Sequence, residues 1–118
     1  MKPRYVQRAS VRGSVDFTVG GLMGKGQILN LTVPGCMVES PLAPQKGDCM
    51  SLSLSIPQFG ATFHVSMGVV RWVKGDRFGV EFIAMNQKDR LRYNACVAKC
   101  LLCKSSTQKT YATKEALG

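Results

Sequence analysis

Two short clusters hold the residues best suited to chemistry. Arg8-Ala-Ser-Val-Arg12 offers two guanidinium forks, and Asn30-Leu-Thr-Val-Pro-Gly35 offers short hydrogen-bonding side chains ahead of a Gly-ended turn. Arginine pairs bidentately with phosphate oxygens or with guanine O6/N7, and it stacks on a base. Small polar side chains and turn backbone N–H groups complete a cradle for an anion. The chemistry that joins the two clusters is capture of a planar, anionic, guanine-bearing ligand. One histidine, seven scattered acids and no phosphate-binding P-loop leave nothing to assign as general acid, base or nucleophile. The chain reads as a binding module, not an enzyme.

The elements that must position these clusters are mostly strands. Residues 1–12 show no hydrophobic period and read as a flexible basic arm. From Ser14 a period of two begins, with Val15, Phe17 and Val19 facing one way. The glycine-rich run from Gly20 to Gly26 is expected to connect this strand to a returning one over Gln27–Thr32, and Val33-Pro34-Gly35 makes a turn. Cys36–Glu39 is a short third strand. Cys49–Ile56 is the clearest strand, alternating Leu52, Leu54 and Ile56 with Ser51, Ser53 and Ser55. Thr62–Lys74 is expected to bury Phe63, Val65, Met67 and Val69 on one face, and Arg77–Ile83 returns with Phe78, Val80 and Phe82 inward. Six strands with short turns argue for a mainly β fold, an antiparallel barrel or sandwich.

After Met85 the period changes. Asn86 suits a helix N-cap with Asp89 in the first turn, and Leu91, Ala95, Ala98 and Leu102 recur at helical spacing. One helix is expected to plug or flank the barrel. Residues 105–118, rich in Ser, Thr and Lys, read as a flexible tail, and 13–104 as the single folded unit. Lys104, Lys109 and Lys114 read as solvated tail cations.

Of the net charge of +9, residues 1–12 carry +4 through Lys2, Arg4, Arg8 and Arg12, residues 13–85 balance, and residues 86–118 carry +5. A neutral centre with two basic ends suits local anion binding better than a charged groove around a long polymer. No run of about 18 apolar residues suggests a membrane span. Five cysteines, an odd number in no disulfide pattern, suit a reducing cytoplasm. Cys96, Cys100 and Cys103 would share a helix face. With no fourth ligand nearby and His64 in a strand, they read as packing residues and not as a metal cluster; no cofactor set emerges.

The order of basic arm, Arg-x-x-x-Arg, strand hairpin, Asn-x-Thr-x-x-Gly, three more strands and a helix resembles the PilZ domain family. Met67–Phe82, reading Met-Gly-Val-Val-Arg-Trp-Val-Lys-Gly-Asp-Arg-Phe-Gly-Val-Glu-Phe, resembles that family's long hairpin. The likeness covers roughly residues 4–104. It implies a six-stranded antiparallel PilZ-type β-barrel with a C-terminal α-helix that binds the bacterial second messenger cyclic di-GMP. Carried over position by position, ligand contacts fall on Arg8, Arg12, Asn30, Thr32 and Gly35.

Asn30 stands where Asp is commoner and Thr32 where Ser is usual. Arg4-Tyr-Val-Gln-Arg8 repeats the arginine spacing; Arg8/Arg12 is preferred because Gly13–Val19 follows directly as the first strand. Arg4 is then an accessory cation, Gln7 bears on ligand stoichiometry, and Trp72 offers a surface for stacking. The resemblance implies a cytoplasmic receptor, a monomer or weak dimer, whose arm orders over the ligand and alters a surface read by a downstream protein. Motility, biofilm or exopolysaccharide control is the implied setting. Two alternatives stand beside it: a PilZ-like adaptor that binds no nucleotide, and a basic barrel for single-stranded nucleic acid. The scarcity of aromatics interleaved with basic residues argues against the last.

Overall fold

The computed structural model describes residues 9–101. Six strands are followed by a helix: β1 (Ala9–Val19), β2 (Leu22–Thr32), β3 (Gly35–Glu39), β4 (Cys49–Ile56), β5 (Ala61–Lys74) and β6 (Arg77–Met85). The helix α1 is described over residues 87–101. Every neighbouring pair is antiparallel, and the sheet closes on itself in the order β1-β2-β3-β6-β5-β4. The chain runs through β1, β2 and β3, crosses to β4 on the far flank of β1, and returns through β5 and β6 to meet β3. Closure leaves no strand edge unpaired, which removes the hazard an open β-sheet carries.

Inward alternation builds the core. In β4, Leu52, Leu54 and Ile56 are buried while the serines between them are not. Phe17 from β1 meets Phe78 from β6 edge to face, with ring centroids 5.5 Å apart. Such pairs favour a T-shaped approach because the edge of one ring is attracted to the face of the other. Cys36 is buried too, and burial pushes its thiol up to about 12.

Four expectations change. β1 begins at Ala9, not Ser14, because Ala9 and Ser10 already pair with Leu31 and Asn30 across a bulge that ends at Gly13. Arg12, expected on the arm, therefore stands on a strand, and residues 1–8 lie outside those described. The β1–β2 turn is only Gly20-Gly21, both with positive φ as a two-residue hairpin demands; Leu22–Gly26, expected as connection, is strand. In β5 the inward row does not run through Met67 and Val69. Register shifts on either side of Met67 reverse the phase, so that Gly68 and Val70 point in and Met67 is 42% exposed.

The fourth change is the helix face. Leu91, expected inward, is 62% exposed, and Ala95 and Ala98 are exposed as well. The buried row is Tyr93, Cys96, Val97 and Cys100. Both rows have helical spacing, but this one carries the aromatic ring, which packs against Phe63 and Phe82 at 5.5 and 5.2 Å. Cys96 and Cys100 are part of that packing; Leu102 and Cys103 lie outside the described residues.

The helix start is as expected. Asn86 Oδ1 accepts the Asp89 N–H at 3.1 Å, a side-chain N-cap. Asp89 also ties the helix to β5: its Oδ2 accepts the His64 N–H at 3.0 Å, and Oδ1 pairs with Arg92 at 2.9 Å. The His64 N–H, and after it the Arg92 charge, hold the Asp89 carboxyl below its ordinary value of 3.8. A carboxylate whose folded value is depressed adds stability above its ordinary value, and that stability is lost as pH falls through the lowered value. Thermal melts of wild type and Asp89→Asn should therefore differ at neutral pH, with wild type the more stable, and converge as the pH falls below 3.8.

Candidate functional site

The loop between β2 and β3, residues 32–35, has each of its four carbonyls engaged. Tyr93 Oη lies 2.8 Å from Thr32 O and 2.7 Å from Gly35 O, its hydroxyl shared between them. Arg90 Nη1 donates to Val33 O at 3.0 Å. The Phe82 N–H donates to Pro34 O at 2.7 Å. Three of these partners come from the helix or the strand before it, across some fifty residues of sequence or more. Tyr93 is fully buried; burial, and secondarily the neighbouring Cys36 and Cys96, push its phenol far above the ordinary range, so it remains a donor.

Within the loop, Thr32 Oγ1 accepts the Gly35 N–H at 3.0 Å and reaches Gly35 O at 3.1 Å. A threonine hydroxyl closing a turn this way replaces a backbone hydrogen bond. Gly35 lacks the positive φ common to turn glycines. It is required for proximity instead, because a Cβ there would collide with the Val80 carbonyl oxygen on β6.

Above this loop opens a cavity of about 280 Å³, at the small end of the roughly 300–1,000 Å³ usual for small-molecule sites. Asn30, Thr32, Pro34 and Gly35 line one side; Arg71, Trp72, Gly79 and Glu81 from the β5–β6 hairpin line the other. The Asn30 amide makes one weak contact, Nδ2 to Met37 Sδ at 4.0 Å, which leaves most of its hydrogen-bonding capacity for an occupant. Trp72 is 38% exposed and sits across Gly79, its strand partner.

The structure thus brings Asn30, Thr32, Gly35 and Trp72 to one cavity. Arg12 lines a different depression, with Gln27, Leu29, Pro57 and Gln58, and the two share no lining residue. Arg4, Gln7 and Arg8 lie outside the described residues. Sequence reasoning did not single out Arg71 and Glu81 as site residues, nor Arg90 and Tyr93 as supports of the loop. A signal for Glu81 existed: the alternation that buries Val80 and Phe82 sends Gly79 and Glu81 outward onto the same face as Trp72. Among the described residues no group of His, Cys, Asp and Glu is placed to hold a metal ion. No described helix is long and apolar enough to cross a membrane.

A PilZ domain family model matches residues 3–99, and the chain belongs to the PilZ domain family. PilZ domains are regulatory binding domains and form a family of cyclic di-GMP receptors. Among solved structures, the chain is similar to the PilZ domain of CeSA from a cellulose synthesizing bacterium, at TM-score 0.61 and 12% identity, covering 79% of this chain and 96% of that one. It is also similar to the Bacillus subtilis inhibitor of motility (MotI/DgrA), at TM-score 0.69 and 16% identity, covering 90% of this chain and 53% of that one. The chain therefore spans about half the length of the inhibitor of motility. No curated protein matches the sequence significantly.

Because the phenol is the buried donor for two loop carbonyls, Tyr93→Phe should cost about 1–3 kcal/mol in urea unfolding. Gly35→Ala must move β6 and should cost about 1–3 kcal/mol by the same measurement, as overpacked sites do. Tyr93→Phe with wild-type stability would show that the loop does not depend on the helix.

Proposed function

We propose that this chain is a cyclic di-GMP receptor whose basic N-terminal segment and Asn30–Gly35 loop hold the ligand from two sides. The observation that carries the reading is the meeting of Asn30, Thr32, Gly35 and Trp72 in one cavity, on a chain of the PilZ family. Asn30 supplies an unspent amide and Trp72 a flat apolar face on which a base can stack. Gly35 lets the loop lie close against β6, and Thr32 fixes its shape.

Arg8 and Arg12 supply the cationic forks that the ligand's phosphates and guanine edges require. Ala9 pairs with Leu31, so the described chain begins beside the loop. In this reading the segment that changes arrangement when ligand binds is the one before β1, carrying Arg8, and contacts made only in the ordered state hold it there. The output is a changed surface presented to a second protein in the bacterial cytoplasm. The similar structures, one from a cellulose synthesizing bacterium and one an inhibitor of motility, favour polysaccharide, biofilm or motility control as the setting.

A second reading, an adaptor of PilZ fold that binds no nucleotide, is favoured by two observations. The Thr32 hydroxyl is engaged within its own turn, and Arg12 lines a separate depression. Calorimetric titration with cyclic di-GMP, cyclic di-AMP and GTP decides between them and counts ligands per chain. Binding of cyclic di-GMP alone is expected, and Arg8→Ala and Arg12→Ala should each weaken it at least about tenfold, as loss of a charge-assisted hydrogen bond does. No heat with any of the three, or unchanged binding in both variants, overturns the receptor assignment.

A further inference from the structure

The cavity holds one feature that sits oddly with an anionic ligand. Glu81 on β6 lines it, with its carboxylate Oε1 only 2.6 Å from Arg71 Nε on β5. Both side chains are about half exposed, at 44% and 55%. An exposed ion pair of this kind contributes about 0–1 kcal/mol to stability, so the fold has little need of it. A cyclic dinucleotide brings two phosphates, and a phosphate placed against Glu81 would be repelled.

What a carboxylate accepts is hydrogen-bond donors, two of them side by side when both oxygens are used. The Watson–Crick edge of guanine offers that pair, N1–H and N2–H₂. Adenine offers one donor beside the N1 lone pair, which faces a carboxylate unfavourably. Hypoxanthine keeps N1–H and lacks the amino group. Next to Glu81, the Trp72 indole rests over Gly79, where any side chain would collide with the ring; this leaves a flat aromatic surface at the cavity wall.

From this arrangement we infer that Glu81 is a specificity-determining residue: it accepts the N1–H and N2–H₂ donors of one guanine, held in position by Arg71 while the base stacks on Trp72. The inference rests on the receptor reading above. It also fixes the orientation of the base, with its donor edge toward Glu81 on the β5–β6 hairpin.

The test is calorimetric titration of the full chain with cyclic di-GMP and with its hypoxanthine analogue, cyclic di-IMP, for wild type, Glu81→Ala and Glu81→Gln. Wild type should prefer cyclic di-GMP by about tenfold or more, the worth of a hydrogen bond to a charged group. Glu81→Ala should bind the two within about twofold of each other, a difference well under 1 kcal/mol. Thermal melts verify folding. If the alanine variant fails to fold, Glu81→Gln carries the test, because its amide turns an N–H toward a guanine N–H and should lose the preference as well. Equal binding of the two ligands by wild type, or the wild-type ratio kept in a folded Glu81 variant, overturns the role of Glu81 and leaves the receptor reading intact. Wild type binding neither ligand overturns the receptor reading and this inference with it.

Discussion

A buried hydroxyl set between two carbonyls governs this molecule. The tight turn from β2 to β3 places four successive carbonyls, those of residues 32–35, where donors must be found, and a buried carbonyl without a donor is costly. The chain answers from a distance: Tyr93 and Arg90, one helical turn apart, reach the loop from α1, and the Phe82 N–H reaches it from β6. The loop is therefore not a local turn that happens to lie near a helix. Its shape is a tertiary property, and the helix is docked by the same bonds that shape it.

This arrangement divides the labour among the motif residues. Thr32 and Gly35 are spent on geometry, the one by hydrogen bonding within the turn and the other by lacking a Cβ where Val80 comes close. Groups with hydrogen-bonding or stacking capacity to spare line the same cavity: the Asn30 amide, the Trp72 ring and the Arg71–Glu81 pair. Since the barrel has no open edge, the plate they form is held on every side by paired strands.

Much of this was legible in the sequence, for physical reasons that can be named. The strict Leu/Ser alternation of Cys49–Ile56 fixes both a strand and its inward face, and the observed element has the same bounds. The strand pattern left barrel or sandwich open, and the resemblance to the PilZ family implied the six-stranded barrel that is observed; Asn30, Thr32 and Gly35, singled out by the same resemblance, line one cavity with Trp72. The phase of β5 was not legible, because a bulge shifts the face of every later residue without leaving a mark in composition. Nor was the helix face: Leu91 and Tyr93 are both plausible inward residues at helical spacing, and the choice between them depends on carbonyls of a loop some sixty positions away. The start of β1 was hidden for a similar reason. Ala9-Ser-Val-Arg12 alternates over four residues only, inside a basic segment, and its strand identity shows in the pairing of Ala9 and Ser10 with β2 and in the burial of Val11.

The coupling between loop and helix has a direction that energetics can define. A ligand that leaves the loop undistorted exerts nothing on α1, however tightly it binds, since only a difference in affinity between two arrangements shifts an equilibrium. A ligand that displaces the loop must break the bonds from Tyr93 and Arg90, and the helix loses two of its anchors in the same event. Its N-terminus would still be held by Asn86 and by the Asp89 contact with His64. Any release of α1 would thus begin at the Arg90–Tyr93 turn and pass toward Cys96 and Cys100, whose buried packing is the next constraint to give way. The site and the helix therefore form one mechanical unit, joined through three carbonyls, those of Thr32, Val33 and Gly35.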